Sequence, residues 1–196
     1  MSGFPAGPFN VIYADPPWRF KTWSEKGQDR APEQHYATMS MEDIKRLPVG
    51  ALAADDAVLF LWVYQPMLRE AFELIDAWGF TYKTVGYFWF KLTGGQDRLF
   101  YSDRDLALGL GYHTRTGGCE QCWLATRGDG YERISKGERQ TIFAPVREHS
   151  RKPDEVAESI VRLVGDVPRI ELFARSRRPG WEVWGNQTDR FSGIAA

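Results

Sequence analysis

Residues 57–63 (AVLFLWV) form an unbroken apolar run of strand length. Such a run can be satisfied only where both of its faces are covered. A half-buried strand would alternate with polar residues, and an amphipathic helix would interrupt the run every three or four positions. The run therefore predicts a central strand in a mainly parallel sheet with helices on both faces. The rest of the chain fits that frame. Residues 10–14 (NVIYA) are a second short strand, ended at Asp15-Pro16-Pro17 because two prolines allow neither helix nor ladder. Ser40 is placed to cap a helix with Met41, Ile44 and Leu47 as its apolar face and Asp43 three residues beyond the cap. Pro66 opens another helix, with Leu68, Ala71, Phe72, Ile75 and Trp78 on one face and Gly79 past its end. Residues 81–91 are aromatic and β-branched, a strand. Residues 121–126 and 141–144 are short strands flanking a Gly-Asp-Gly turn and are expected to pair as an edge hairpin. Pro153 at the first helical position, with Asp154 and Glu155, starts a helix through Leu163 that Gly165 stops, and 169–174 (RIELFA) is a last strand. The order is α/β, with the hairpin at an edge.

The 196 residues suit one domain, 1–196, with two long loops at 19–38 and 92–116 that carry Arg19, Lys21, Lys26, Arg30, Arg98, Arg104 and Arg115. Loops of that length in a compact domain are usually functional or disordered. A formal net charge of −1 excludes a chain that is basic throughout, so any contact with polyanions must be local. There is no apolar run of membrane-spanning length and no signal pattern at Met1-Ser2-Gly3-Phe4-Pro5, which points to a cytoplasmic protein with no membrane partner. Cys119 and Cys122 are spaced C-x-x-C, but His35, His113 and His149 do not stand at paired-ligand spacing. Two reduced thiols beside a strand are expected, with no metal.

In parallel sheets of this kind ligands sit beyond the carboxyl ends of the strands. Asp15 ends the first strand and Arg175 ends the last, so both are expected on one rim. Asp15-Pro16-Pro17-Trp18 has two readings, a strand-ending turn with an exposed Trp or a catalytic loop. The second has a chemical basis. An exocyclic aromatic amine is a poor nucleophile because its lone pair is delocalised into the ring. Two acceptors aimed at its two hydrogens draw the nitrogen toward tetrahedral geometry and hold the lone pair in line with an electrophile. A carboxylate next to a backbone carbonyl held rigid by prolines supplies both, and the following aromatic offers a stacking face. This use requires Asp15 to reach the rim near Arg175 and Asn186 rather than be buried in a salt bridge.

The chain resembles the adenine-N6 methyltransferases related to the catalytic subunit of the mRNA adenosine methyltransferase, a family with bacterial and phage DNA-modifying members. The likeness runs in order through VIYADPPW (11–18), HYATMS (35–40), LFLWV (59–63), Trp78-Gly79-Phe80, CEQCWLATRG (119–128), REHSRKPDEV (147–156), RIELFAR (169–175) and RPGWEVWGNQ (178–187). It implies a Rossmann-like, S-adenosylmethionine-dependent methyltransferase fold and S-adenosylmethionine as cofactor. It also implies roles. Asp15 and the Pro16 carbonyl would hold the target amine, with Pro17 and Trp18 as the stacking wall and Tyr36 closing over the base. Lys152 would face the cofactor carboxylate or the substrate, although a solvated lysine is the alternative. Arg175, Asn186 and Gln187 would bind the cofactor ribose, and Arg177 or Arg178 its methionine end, unless these arginines bind phosphate. Glu120 matches an acidic position near the target base. No G-x-G-x-x-G follows a strand. Nine residues precede the first strand, where larger relatives carry a segment that helps hold the cofactor adenine. That task would fall to residues after Gly185.

The resemblance makes nucleic acid the partner, DNA rather than RNA, and leaves room for a homo- or heterodimer. A base in a duplex must be flipped out to reach such a pocket. The alternatives are an RNA adenine methyltransferase, a non-catalytic nucleic-acid-binding subunit, against which the presence of Asp15 counts, and a methyltransferase for a small amine or protein side chain.

Overall fold

A computed structural model describes residues 3–18, 39–94, 100–108, 118–148 and 151–191. Seven strands form one sheet: β1 (Phe9–Ala14), β2 (Ala53–Val63), β3 (Thr81–Leu92), β4 (Cys119–Arg127), β5 (Thr141–Pro145), β6 (Arg169–Leu172) and β7 (Glu182–Trp184). Their order across the sheet is β5-β3-β4-β2-β1-β6-β7. β1 pairs in parallel with β2 on one side and β6 on the other, and β7 extends β6 in parallel. β4 is antiparallel to both of its neighbours, β2 and β3, and β5 is parallel to β3. Within this sheet every strand except β4 points the same way. The carboxyl ends of β1, β2, β3 and β6 therefore share one rim, and β4 starts there.

The apolar run lies within β2, and its covering explains its composition. Leu59, Leu61 and Val63 face one side with Ile12 and Ala14 of β1. That side is covered by α1 (Met41–Lys45), α2 (Val49–Leu52) and α3 (Leu68–Ala77), through Ile44, Leu52, Leu74 and Ile75. Val58, Phe60 and Trp62 face the other side with Val11 and Tyr13, beneath Val156, Ile160 and Val164 of α4 (Asp154–Val164). Successive side chains on a strand point to opposite faces, so a strand dry on both must be apolar at every position.

Local signals act largely as expected. Ser40 caps α1 by accepting the Asp43 backbone N–H at 3.1 Å. α3 follows a 3-10 turn at Gln65–Met67 that contains Pro66, and Gly79 takes φ 79° just past its end. Its buried face is Ala71, Leu74, Ile75 and Trp78, whereas Phe72 stays 44% exposed, with its ring against Tyr82 and Trp123. Pro153 sits at the N-cap of α4 rather than inside its first turn, and Gly165 ends the helix at φ 81°. α2 and β7 are short elements with no periodic signal of their own.

The edge hairpin expected from 121–126 and 141–144 is corrected. Both sides of β4 are taken, by β2 and β3, and β5 instead joins the outer side of β3 in parallel. Burial of Cys122, Trp123, Leu124 and Ala125 marks β4 as an interior strand, which needs a partner on each side. The connection 128–140 starts at the rim opposite the carboxyl ends and is tied to α4. There Glu138 accepts from Ser159 Oγ at 2.6 Å and pairs with Arg162 at 3.1 Å, and the Ile134 N–H donates to the Leu163 carbonyl at 2.8 Å.

β1 and β2 are also joined by side chains. The indole N–H of Trp62, 1% exposed, donates to the Tyr13 hydroxyl at 2.7 Å. In Tyr13→Phe this buried donor loses its acceptor, a cost of about 1–3 kcal/mol. Urea unfolding should show a lower midpoint at unchanged slope; an unchanged midpoint would mean that the bond adds nothing.

Candidate active site

β1 runs out at Ala14, and the next three residues turn away from the sheet. Pro16 and Pro17 have no N–H to give a ladder. The turn is closed by the Trp18 N–H, which donates to the Pro16 carbonyl at 2.8 Å, and by the Met39 N–H on the Pro17 carbonyl at 3.3 Å. The Trp18 indole N–H donates to the Trp62 carbonyl at 3.2 Å, and its ring is 6% exposed. From the sequence this ring was the stacking wall; the structure makes it an anchor in the core, because a buried indole N–H needs an acceptor and finds one at the end of β2. Asp15 and Pro17 remain half-buried at the surface of the loop.

Around Asp15 four side chains alternate in charge. Its Oδ2 lies 2.9 Å from Lys152 Nζ, which also stands 3.3 Å from Glu120 Oε2, and Glu120 Oε1 pairs with Lys91. Four parts of the fold supply them: the end of β1, the end of β3, the start of β4 and the segment just before α4. The Arg147 guanidinium holds the Lys152 carbonyl at 2.9 Å, and Lys152 Nζ sits 5.4 Å from the centre of the Trp62 ring. Asp15 is thus in a salt bridge, as its assignment should not tolerate, but it is not sealed by it. Its side chain is 24% exposed and opens on the same cleft as Arg175.

Burial pushes the Asp15 carboxyl up, Lys152 and Arg175 pull it back, Glu120 adds to the rise, and it ends above the ordinary 3.8. Glu120 goes the other way. Burial pushes it up, but Lys152 and Lys91 outweigh that and hold it at about 2. The Cys122 thiol is driven well up by burial, with the Asp15 charge adding to the effect, so it is a neutral thiol next to the site.

The cleft has a volume of about 350 Å³, counting space open to solvent, and its lining includes Asp15, Lys152, Glu171, Phe173, Arg175 and Arg178. Glu171 faces inward from β6 and pairs with Arg178 at 3.0 Å. Burial raises its carboxyl, Arg178 opposes the rise, and Asp15 and Asp154 add to it; the result is above its ordinary value. Arg178 also engages Asp154 at the start of α4, and Arg147 reaches the other Asp154 oxygen at 2.6 Å. Phe173, just beyond β6, holds φ 60°, a left-handed conformation that costs a side-chain-bearing residue about 1–3 kcal/mol and is typical of ligand clamps. Gly185 closes against this bend, where an added Cβ would stand 2.7 Å from the Ala174 carbonyl oxygen.

Other residues singled out in the sequence lie elsewhere. Arg177 points outward into an ion pair with Asp189 at 2.8 Å, so Arg178 is the arginine that enters the cleft. Asn186 and Gln187 follow β7, on the same rim but outside the cleft lining, and the Gln187 side chain accepts from Arg190 at 3.0 Å. Tyr36 and most of loops 19–38 and 92–116 lie outside the described residues, while Arg104 is exposed. Lys91, Glu171 and Phe173 were missed. For Glu171 the available signal was a lone acid within an apolar strand.

The donors suit a small zwitterion with hydroxyls: guanidinium groups for a carboxylate, carboxylates for cationic or hydroxyl groups. Among the described residues no group of three or more His, Cys, Asp or Glu could hold a metal, and no helix is long and apolar enough to cross a membrane. A family model described as MT-A70 matches residues 9–187. The chain is 29% identical to the type II methyltransferase M.MunI of a Mycoplasma species, over 92% of this chain and 78% of that protein. It is 31% identical to the human N(6)-adenosine-methyltransferase catalytic subunit METTL3, over 93% of this chain but 29% of that protein. It is 30% identical to the mouse N(6)-adenine-specific methyltransferase METTL4, over 93% of this chain and 38% of that protein.

Glu120 links the site to acid stability. Its folded value of about 2 lies below the ordinary 4.5, so its contribution is present above pH 4.5 and is lost as pH falls through about 2. Glu120→Gln should destabilise the protein at pH 6, with the gap in melting temperature from the parent narrowing as pH drops toward 2. A gap that stays constant with pH would refute the two-lysine account of this carboxylate.

Proposed function

The chain belongs to the MT-A70 family of N6-adenine methyltransferases, and we propose that its cleft moves the methyl group of S-adenosylmethionine onto the exocyclic amine of adenine in DNA. The observation that carries this reading is Asp15-Pro16-Pro17 at the end of β1, on a rim shared with Glu171, Arg175 and Arg178. Bound in the cleft, S-adenosylmethionine supplies an electrophilic methyl carbon on a sulfonium. Arg175 and Arg178 suit its carboxylate, Glu171 its ammonium, and Asn186 and Gln187, beyond β7, its ribose hydroxyls. Arg177 lies on the outer side of this segment, where a nucleic-acid phosphate is the more natural partner.

The chain's own groups then orient the amine. Asp15 in its ionised form accepts one N–H, and the Pro16 carbonyl accepts the other. That carbonyl already takes the Trp18 N–H, which fixes its direction and leaves a second lone pair. Trp18 holds the loop from below, so Pro17 is the wall toward the base. Lys152 lines the same cleft, with Glu120 3.3 Å from its ammonium, and both suit the polar edge of a base. Because the amine needs an ionised Asp15, activity falls as pH drops through its value, which burial has raised above 3.8. DNA is favoured over RNA by the likeness to the type II methyltransferase, which spans 78% of that protein.

The test is incubation with methyl-labelled S-adenosylmethionine and DNA or RNA, followed by digestion and detection of N6-methyladenine. Label is expected on adenine in DNA. Asp15→Ala should lower it by about 100-fold or more, the loss that follows removal of one preorganised hydrogen-bonding partner. Label on RNA alone would overturn the choice of polymer; label on protein, or no transfer by the parent chain, would overturn the reading itself.

A further inference from the structure

The charged ladder at the rim ends in a lysine that has no part in the chemistry above. Lys91 lies near the end of β3, with its ammonium on Glu120 and 5.0 Å from the centre of the Trp89 ring. Its backbone N–H is fixed by the Gly118 carbonyl at 2.6 Å. Lys152 is shared between two carboxylates, 2.9 Å from Asp15 and 3.3 Å from Glu120. One ammonium has donors for both but sets a single positive charge against two negative ones. Two lysines and two carboxylates balance, and Lys91 is the second positive charge that brings this about.

We propose that Lys91 is a positioning residue for methyl transfer: by engaging Glu120 it frees Lys152 to hold Asp15 ionised and aimed at the amine. This rests on Asp15 acting as the amine acceptor. Without Lys91, Glu120 draws Lys152 toward itself, and its unbalanced charge bears on Asp15 from the start of β4. The other groups around Asp15 do not replace the lost charge. Arg175 favours the ionised form and Glu171 opposes it, while the Cys122 thiol is neutral. Next to Glu120 stand the Cys119 thiol and the Tyr64 hydroxyl, both pushed up by burial and therefore neutral at working pH. The asymmetry decides which carboxyl responds: Glu120 sits far below its ordinary value, and Asp15 is the one already raised toward protonation.

The experiment is the pH dependence of kcat/KM for DNA adenine methylation in the parent, Lys91→Gln, Lys91→Arg and Glu120→Gln, together with titration of the Asp15 carboxyl by ¹³C NMR in the same proteins. Lys91→Gln should move the acid limb and the Asp15 titration up by about one pH unit, the usual scale for one nearby charge. Lys91→Arg should restore both. Glu120→Gln, which leaves Lys152 undivided, should move both down. Opposite displacements cannot come from general loosening of the site. An acid limb and titration unmoved in Lys91→Gln, or moved the same way by Glu120→Gln, would overturn the proposal. If the parent methylates no adenine, the reading of the reaction fails, and the Asp15 titration still decides what Lys91 does.

Discussion

Burial of β1 and β2 on both faces is the constraint from which the site follows. Each apolar side chain fully buried there contributes about 1.5–3 kcal/mol, and a strand dry on both sides must also satisfy its backbone through neighbours on both edges. Parallel pairing with β2 and β6 does this for β1 and brings the strand ends to a common line. The first ionisable group beyond the dry zone of β1 is Asp15. Its position is therefore set by the core, not by the loop that follows, and Trp18 adds to this by returning its indole to the end of β2.

The charged groups at the rim answer a problem that the core creates. A carboxylate at the edge of an apolar interior resists ionisation, and the chain offsets this with alternating charge instead of solvent. Asp15, Lys152, Glu120 and Lys91 form one such series, and Glu171, Arg178, Asp154 and Arg147 form another across the cleft. Single buried pairs often contribute little net stability because desolvation cancels attraction. Their value here is in geometry, since each member fixes the direction of the next.

What could be read from the sequence was whatever depends on near neighbours along the chain. The run 57–63, the Ser40 cap, the glycine stops and the end of β1 at two prolines are local, and the strand ends so read put Asp15 and Arg175 on one rim, where both line the cleft. Pairing between distant strands was not legible: β4 carries a composition that suits an edge or an interior position, and only the occupied sides of β2 and β3 decide. Lys91 escaped notice because a lone charged residue near a strand end looks like ordinary alternation, and the lone acid Glu171 within an apolar strand does not by itself say which face it meets. The choice between Arg177 and Arg178 turned on direction, which two adjacent arginines in a loop do not reveal in sequence. One meets Asp189 and the other Glu171. Trp18 misled because an aromatic after a turn carries no mark of whether it looks outward or back into the core.

The reversal of β4 reaches beyond the cleft. A strand that begins at the rim carrying Asp15 must leave from the other, so the 128–140 connection emerges at the far side of the sheet, clasped to α4 through Glu138. The fold thus keeps the cleft beside Asp15 and one of its surface excursions at opposite ends of the strands. A tether attached to the exposed part of that connection, away from Ile134 and Glu138, would meet neither Asp15 nor the cleft lining.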